Sequence, residues 1–174
     1  MTARGAPSAW VTRFADRIPP GGTVLDLACG NGRHTAFLLE RGHPVVAVDR
    51  AISGLADLAG DARLELVKAD LEAGGRFPLA GRTFAGVVVT SYLHRPVLPD
   101  LVAAVAPGGV LIYETFTRRH AAFGRPRNPA FLLEPGELLH AVRGELTVLA
   151  HGDRIEATPT GHRAVQHICA RRRA

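Results

Sequence analysis

The stretch VLDLACGNGRH, residues 24–34, places a glycine-rich turn between a strand and a helix. The residues from 23 to 28 are nearly all apolar, which is typical of a strand buried on both faces of a parallel sheet. Gly30 and Gly32 allow a tight turn in which a ligand can approach the backbone closely. A glycine pair alone is equally compatible with a connection that binds nothing, so the residues around it decide the interpretation.

Two carboxylates follow the next strands of the chain. Asp49 comes directly after the apolar stretch 45–48, and Asp70 comes shortly after 64–68. The carboxyl ends of parallel strands meet at one edge of the sheet, where ligands of such folds bind. There Asp49 is placed to accept both ribose hydroxyls of an adenosine, and Asp70 to accept its amino group. Each aspartate taken singly is also explained as a turn residue, but together with Asp26 they predict an adenosine site.

The rest of the chain alternates between apolar strands and helical patterns. This alternation predicts a three-layer, Rossmann-like α/β fold, with a seven-stranded, mainly parallel sheet and helices on both faces. We expect one domain: an N-terminal helix and entry loop at 1–22, a cofactor-binding core at 23–115, and a substrate-side loop, helix and closing strands at 116–174. The predicted helices are 8–18, 33–41, 52–58, 97–105 and 137–142, the loops are 71–83 and 118–129, and the strands are 23–28, 45–48, 64–68, 84–90, 110–115, 146–149 and 165–170.

Composition predicts a soluble, cytoplasmic protein. The 174 residues are 47% hydrophobic and 21% charged, which excludes a disordered or collagen-like chain. No signal peptide or membrane-spanning stretch is visible, and two cysteines are too few for a disulfide framework or a zinc cluster. The net charge of +5 invites a nucleic-acid interpretation, but the arginines are spread along the whole chain and argue against a dedicated surface. The oligomeric state is open.

The charges around the glycine-rich turn decide which adenosine ligand fits. A dinucleotide site has the pattern G-x-G-x-x-G and a helix N-terminus facing a pyrophosphate, whereas Thr35 stands at the third glycine position here. Asp26 would repel a pyrophosphate but suits a ligand that carries an ammonium or a sulfonium. S-adenosylmethionine (SAM) therefore fits best. The alternatives are a nicotinamide-dependent oxidoreductase and a non-catalytic adenosine- or RNA-binding protein.

Four segments, in order, resemble the motifs of class I SAM-dependent methyltransferases. They are VLDLACGNGRH at 24–34, VVAVD at 45–49, KAD at 68–70 and APGGVL at 106–111. Within that superfamily the chain is similar to the small bacterial methyltransferases that resemble the tellurite-resistance enzyme. It departs from the usual pattern at Ala28, where glycine is frequent, and it lacks a clear helix between the third and fourth strands. The resemblance implies in-line transfer of the SAM methyl group to a small acceptor, with S-adenosylhomocysteine (SAH) as the product.

The resemblance also assigns residues to the cofactor. The glycine-rich turn would hold the methionine end of SAM, Asp49 the ribose, and Asp70 with Leu71 the adenine. The cofactor residues that it implies are Asp26, Ala28, Gly30, Gly32, Asp49, Arg50, Asp70, Leu71 and Thr90.

The segment after the fourth strand is where the superfamily orients its acceptor. Tyr92 and His94 are the candidates for orienting or deprotonating the acceptor, and the alternatives are a packed aromatic ring and a capping histidine. The segment lacks the Asn/Asp-Pro-Pro-aromatic pattern that is associated with amino groups of DNA bases. A small molecule is therefore the expected acceptor.

The loop at 118–128 follows the fifth strand and is rich in arginine. It would cover the crevice and bind an anionic acceptor, or it is a solvated connection. No metal is predicted, because the eight histidines show no ligand spacing. The candidate substrate-binding residues are His34, Arg95, Glu114, Arg125, Arg127 and Asn128.

Overall fold

The computed structural model describes residues 4–174 and shows a seven-stranded sheet. The strands are β1 (Val24–Leu27), β2 (Val45–Asp49), β3 (Leu64–Lys68), β4 (Phe84–Thr90), β5 (Val105–Phe116), β6 (Thr147–Thr158) and β7 (Gly161–Arg171). They lie in the order β3-β2-β1-β4-β5-β7-β6. The strands from β1 to β5 are parallel, and β7 is antiparallel to both of its neighbours. The predicted seven-stranded, mainly parallel sheet is thereby confirmed.

Short helices cover both faces of the sheet. They are α1 (Ala9–Phe14), α2 (Arg33–Glu40), α3 (Leu98–Ala103) and α4 (Glu137–Ala141). Side chains alternate along each strand, so Val24 packs in the core under α1 and α2, and Leu25 packs in the core under α3 and α4. Ser8 is the N-cap of α1, and its hydroxyl accepts the amide of Trp10 at 3.1 Å. In the part of the chain that the structure describes, no helix is long and apolar enough to cross a membrane.

The prediction of a helix at 52–58 is wrong. The chain instead makes a 3₁₀ turn at Ser53–Leu55, followed by further turns. Gly54 packs against the backbone of Asn31, where a Cβ on Gly54 would come within 3.2 Å of the Asn31 Cα. Contact with the glycine-rich turn therefore shapes this segment, rather than its own apolar spacing.

The last three strands are longer than predicted. β5 begins at Val105, so the segment 107–109 lies inside the strand instead of forming a turn before it. β6 and β7 run for 12 and 11 residues. Most of β6 was missed because it lies at the edge of the sheet, where polar and small side chains replace the apolar run that marks a buried strand.

Candidate active site

The glycine-rich turn joins β1 to α2 through residues in the left-handed backbone region. The φ angles are 52° at Ala28, 56° at Gly30 and 77° at Gly32. Glycine adopts this conformation freely, but the Cβ of Ala28 makes it cost about 1–2 kcal/mol there. A Cβ at Gly32 would also come within 2.9 Å of the Leu55 side chain. The turn thus needs glycine at position 32 and tolerates strain at position 28.

Asp49 ends β2 and ties the turn to that strand. Its Oδ2 accepts the amide of Gly30 and its Oδ1 accepts the amide of Ala51, both at 2.9 Å. An ionised carboxylate offers about four lone-pair sites, so each oxygen keeps one for a further donor. The two vicinal hydroxyls of a ribose form such a pair of donors, and the geometry suits the predicted role of Asp49.

A pocket of about 270 Å³ opens beside this carboxylate, at the carboxyl ends of β1, β2 and β3. Its volume is close to the lower end of the range for small-molecule sites, about 300 Å³. The pocket brings together the predicted residues Ala28, Asp49, Arg50, Asp70, Leu71 and Tyr92. It is also lined by Ala69, Glu72 and Phe131, which sequence reasoning missed.

The far side of the pocket is acidic. Asp70 accepts the amide of Glu72 through its Oδ1 at 2.9 Å, which leaves the Oδ2 of this exposed side chain to a ligand. Glu72 itself lines the pocket, and Arg50 brings a positive charge to it. The pocket therefore favours ligand groups that donate hydrogen bonds, as an adenine amino group and ribose hydroxyls do.

Tyr92 carries a buried hydroxyl in the pocket wall. Among the residues from 4 to 174, no group forms a hydrogen bond with this hydroxyl. Burial, together with the charges of Glu72 and Asp70, raises the pKa of Tyr92 to about 12. The hydroxyl stays protonated at neutral pH and acts as a donor. The raised pKa favours the orienting role of Tyr92, and its role toward the acceptor stays a prediction.

His94 lines a cleft of about 310 Å³ that adjoins the first pocket and shares Asp70, Leu71 and Glu72 with it. The structure therefore places the two predicted catalytic side chains at adjoining clefts, and their roles stay predictions.

Asp26 is enclosed beneath the turn and does not line the pocket. Its Oδ2 accepts the hydroxyl of Thr35 at 2.6 Å, and the residue is only 2% exposed. Burial raises the pKa of Asp26 to about 7, against the opposing effect of the Thr35 hydrogen bond. In this structure Asp26 ties β1 to α2, and a direct contact with the cofactor stays a prediction.

His34 and Thr90 meet under the N-terminal segment. The Nε2 of His34 accepts the amide of Ser8 at 3.0 Å, and its Nδ1 lies 3.4 Å from the hydroxyl of Thr90. Burial lowers the pKa of His34 to about 4, so the imidazole is neutral at pH 7. Both ring nitrogens face partners within the fold, and the contact of His34 with the acceptor stays a prediction.

The carboxylate of Glu114 is also occupied by partners within the fold. Its Oε1 accepts the hydroxyl of Ser8 at 3.0 Å and a guanidinium N–H of Arg163 at 3.3 Å. Burial opposes ionisation, but contact with His167 and the charge of Arg163 outweigh it and lower the pKa of Glu114. Glu114, Glu156 and His167 bring their ligand atoms within 4.8 Å of one another, and Arg163 already binds both carboxylates, at 2.7 Å in the case of Glu156. In this structure Glu114 binds partners of its own chain, and its contact with the acceptor stays a prediction.

Arg95 is a structural clamp. Its guanidinium donates to both oxygens of Glu137, at 2.7 and 2.9 Å, and to the carbonyls of Ala130 and Leu132, at 2.9 Å each. These bonds engage the guanidinium within the fold, and its contact with the acceptor stays a prediction. The clamp still shapes the site, because it holds the chain on both sides of Phe131, whose ring lines the pocket.

The loop after β5 reaches the pocket through Phe131 rather than through its arginines. Asn128 accepts the amide of Ala130 through its Oδ1 at 3.0 Å and so caps a 3₁₀ turn, and its contact with the acceptor stays a prediction. Arg125 and Arg127 are exposed. Their binding of an anion stays a prediction.

The N-terminal segment covers the glycine-rich turn. The Nε of Arg4 donates to the carbonyl of Asn31 at 2.8 Å, and its Nη1 donates to Asp57 at 2.7 Å. Sequence reasoning missed both Arg4 and the contacts of Ser8, since they join residues far apart in the chain and follow no local pattern.

Comparison with known proteins agrees with this geometry. The profile of a family described as "Methyltransferase domain" matches residues 24–109, which contain all of the predicted cofactor residues. The match covers just under half of the chain. It supports the predicted methyltransferase family and, together with solved structures that hold SAH, the predicted cofactor.

Two relatives have names that describe methyl transfer. The chain is 37% identical over 106 residues to the trans-aconitate 2-methyltransferase of Azoarcus sp. (strain BH72), a match that covers 55% of this chain and 40% of that protein. It is 31% identical over 124 residues to the demethylmenaquinone methyltransferase of Clavibacter sepedonicus, covering 65% of this chain and 49% of the relative. The chain thus spans less than half the length of either relative.

Solved structures show that the fold is shared. TehB from Haemophilus influenzae superposes with a TM-score of 0.76 and 19% identity, over 98% of this chain and 64% of TehB. The 1,6-didemethyltoxoflavin-N1-methyltransferase of Burkholderia thailandensis, solved with its acceptor and SAH, gives a TM-score of 0.65 and 24% identity, over 95% of this chain and 77% of that one.

Proposed function

We propose that this methyltransferase moves the methyl group of SAM to a small, anionic acceptor by in-line displacement. The proposal rests on one observation: the carboxylates that line the pocket would serve the cofactor, and neither Tyr92 nor His34 offers a free base to the acceptor. Tyr92 keeps its proton at neutral pH, and both nitrogens of His34 face partners within the fold. A neutral hydroxyl or ammonium acceptor would need to lose a proton, whereas an anion brings its own electron pair.

SAM, when bound, supplies a methyl group on a sulfonium, which leaves as a neutral thioether. The residues of this chain bind and align it, and such alignment accounts for much of the rate enhancement in an in-line displacement. Asp49 would accept the ribose hydroxyls, and Asp70 would accept the adenine amino group through its free Oδ2. Tyr92 would donate its hydrogen bond to an acceptor or ligand oxygen and so fix its orientation.

Charge supports an anionic acceptor as well. Arg125 and Arg127 are exposed on the loop that lines the pocket through Phe131. Guanidinium groups bind carboxylates with charge-assisted hydrogen bonds. The Azoarcus relative is named for trans-aconitate, a small tricarboxylate, which fits this class of acceptor.

Transfer of a labelled methyl group from SAM tests the acceptor class. Trans-aconitate and other small carboxylates are compared with their neutral amides, and we expect label in the carboxylates alone. Replacing both Arg125 and Arg127 by Ala should lower the transfer rate by about 10-fold or more and leave the affinity for SAH unchanged.

The matched control removes two other exposed arginines, Arg143 and Arg173, and should leave the transfer rate unchanged. Label in the neutral amides alone would contradict the anionic acceptor. An equal loss of SAH affinity in the Arg125→Ala, Arg127→Ala variant would instead place these arginines on the cofactor.

A further inference from the structure

One edge of the sheet is formed by β6, which pairs with β7 on its inner side. Within residues 4–174, no strand pairs with its outer side. β6 is 12 residues long, so it offers an edge of about 40 Å at about 3.3 Å per residue. A long free edge is a template for pairing with another strand.

Exposed apolar side chains are concentrated on this edge. Val148, Leu149 and Ile155 are 40%, 41% and 47% exposed, and they make up half of the large exposed apolar side chains among the described residues. The other three are Phe123, Phe131 and Leu139. Apolar groups gathered on an unpaired strand indicate an interface.

The register with β7 fixes which side chains share a face. His151, Asp153 and Ile155 lie opposite alternate residues of β7, so they point to one face of the sheet, and Gly152 and Arg154 point to the other. Asp153 is also held in position by hydrogen bonds from Arg119 and Gln166 of its own chain.

We propose that two copies of this chain pair antiparallel through β6, about a two-fold axis at Gly152. In that register His151 lies opposite Asp153 of the second copy, and the symmetry repeats this pair on the other side of the axis. Ile155 lies beside the end of the second copy's strand that carries Val148 and the bulged residue Leu149, so exposed apolar side chains meet. The imidazole of His151 can donate a hydrogen bond to the Asp153 carboxylate, and hydrogen-bonded and apolar pairs across two strands are stabilising.

The neighbouring registers are worse. A two-fold axis between antiparallel strands keeps each side chain on its own face of the sheet. Each possible register therefore sets one residue directly opposite its own copy, and the axis is named by that residue. An axis at Asp153 sets this carboxylate against itself, and an axis at Arg154 sets two guanidinium groups against each other; like charges directly opposite are destabilising. An axis at His151 sets Asp153 against the bulge at Leu149, where the side chain is apolar.

The occupant is a second copy rather than a different protein because the strand is complementary to itself. Its basic and acidic side chains flank Gly152 at equal distances, and its apolar residues stand at both ends. An isologous interface uses the same patch on both subunits and so needs this self-complementarity.

Sedimentation of the purified chain tests the proposal without any ligand. We expect a dimer for the parent, and for Ile155→Lys a dissociation constant that is about 100-fold higher or more, since each copy would place a charge in the apolar contact. Leu139→Lys makes the same change at a residue that is 38% exposed on α4, away from the edge, and should leave the dimer intact. Far-UV circular dichroism checks that both variants are folded.

Oxidative cross-linking tests the register. The double variant His151→Cys, Asp153→Cys places the two thiols across the axis from each other and should form a covalent dimer. Asp153→Cys alone should not, because its partner position is 151. The natural Cys29 and Cys169 are buried and do not compete.

Three results would overturn the proposal. They are a monomeric parent, a folded Ile155→Lys variant that dimerises like the parent, and a dimer that cross-links through Asp153→Cys alone or not at all in the double variant. None of these results concerns SAM binding, so the proposed function is tested independently of the dimer.

Discussion

Asp49→Ala is expected to weaken the binding of SAH by about 30- to 150-fold, which corresponds to the roughly 2–3 kcal/mol of charged hydrogen bonds to two ribose hydroxyls. The substitution also removes the acceptor for the Gly30 amide, so the glycine-rich turn loses its tie to β2. Both effects weaken the binding of the cofactor and leave the packing of the hydrophobic core unchanged. Isothermal titration calorimetry with SAH measures the loss directly.

The matched control for this variant is Asp61→Ala. Asp61 accepts the amide of Arg63, two residues ahead, at 2.9 Å, as Asp49 accepts that of Ala51, but it does not line the pocket. Its replacement should leave the affinity for SAH unchanged. A folded Asp49→Ala protein that binds SAH as tightly as the parent would show that the ribose contact is misplaced.

Arg95→Met is expected to lower the free energy of unfolding by about 2–3 kcal/mol. The substitution keeps an apolar stem but removes the donor of the carbonyls of Ala130 and Leu132. It also leaves the Glu137 carboxylate, which is only 17% exposed, with the Glu134 amide as its remaining donor. Urea denaturation measures the change. Because the clamp holds the chain around Phe131, the folded variant should also bind SAH less tightly.

Arg82→Met is the control for the clamp. Arg82 makes a two-bond ion pair with Glu65, at 2.7 and 2.8 Å, but both side chains are at least 41% exposed. Exposed pairs contribute about 0–1 kcal/mol, so this variant should be nearly as stable as the parent. Equal losses of unfolding free energy in the Arg95→Met and Arg82→Met variants would show that the clamp stabilises the fold no more than an exposed ion pair does.

The parallel part of the sheet was predictable because burial leaves a simple trace in the sequence. β1, β2 and β4 are covered on both faces, so each is a run of apolar residues. β6 lies at the edge and mixes polar, small and apolar residues, so no periodicity marks its full length. The segment at 52–58 has helical spacing, yet its contact with Asn31 through Gly54 determines its conformation.

The sequence predicts which residues stand at the edge of the sheet where the pocket lies, but not which side chains and amides they contact there. Asp49, Asp70 and Tyr92 line the pocket because strand ends of a parallel sheet meet at one edge. His34 and Glu114 stand at the same edge, but Ser8 folds over them from the start of the chain, a contact that only the tertiary structure reveals.

Phe131 was missed for the same physical reason. Nothing in its local sequence marks it as a ligand residue, and it reaches the pocket only because Arg95 holds the carbonyls on either side of it. Long-range hydrogen bonds of this kind leave no periodic signal.

The central claim is that the pocket beside Asp49 binds the adenosyl part of SAM. Calorimetric titration of the purified chain with SAM, SAH and NAD tests it most directly. We expect SAM and SAH to bind with measurable heat and NAD to give none, because the pocket is acidic and Thr35 replaces the third glycine of a dinucleotide site. Tight binding of NAD with no heat from SAM or SAH would contradict the account.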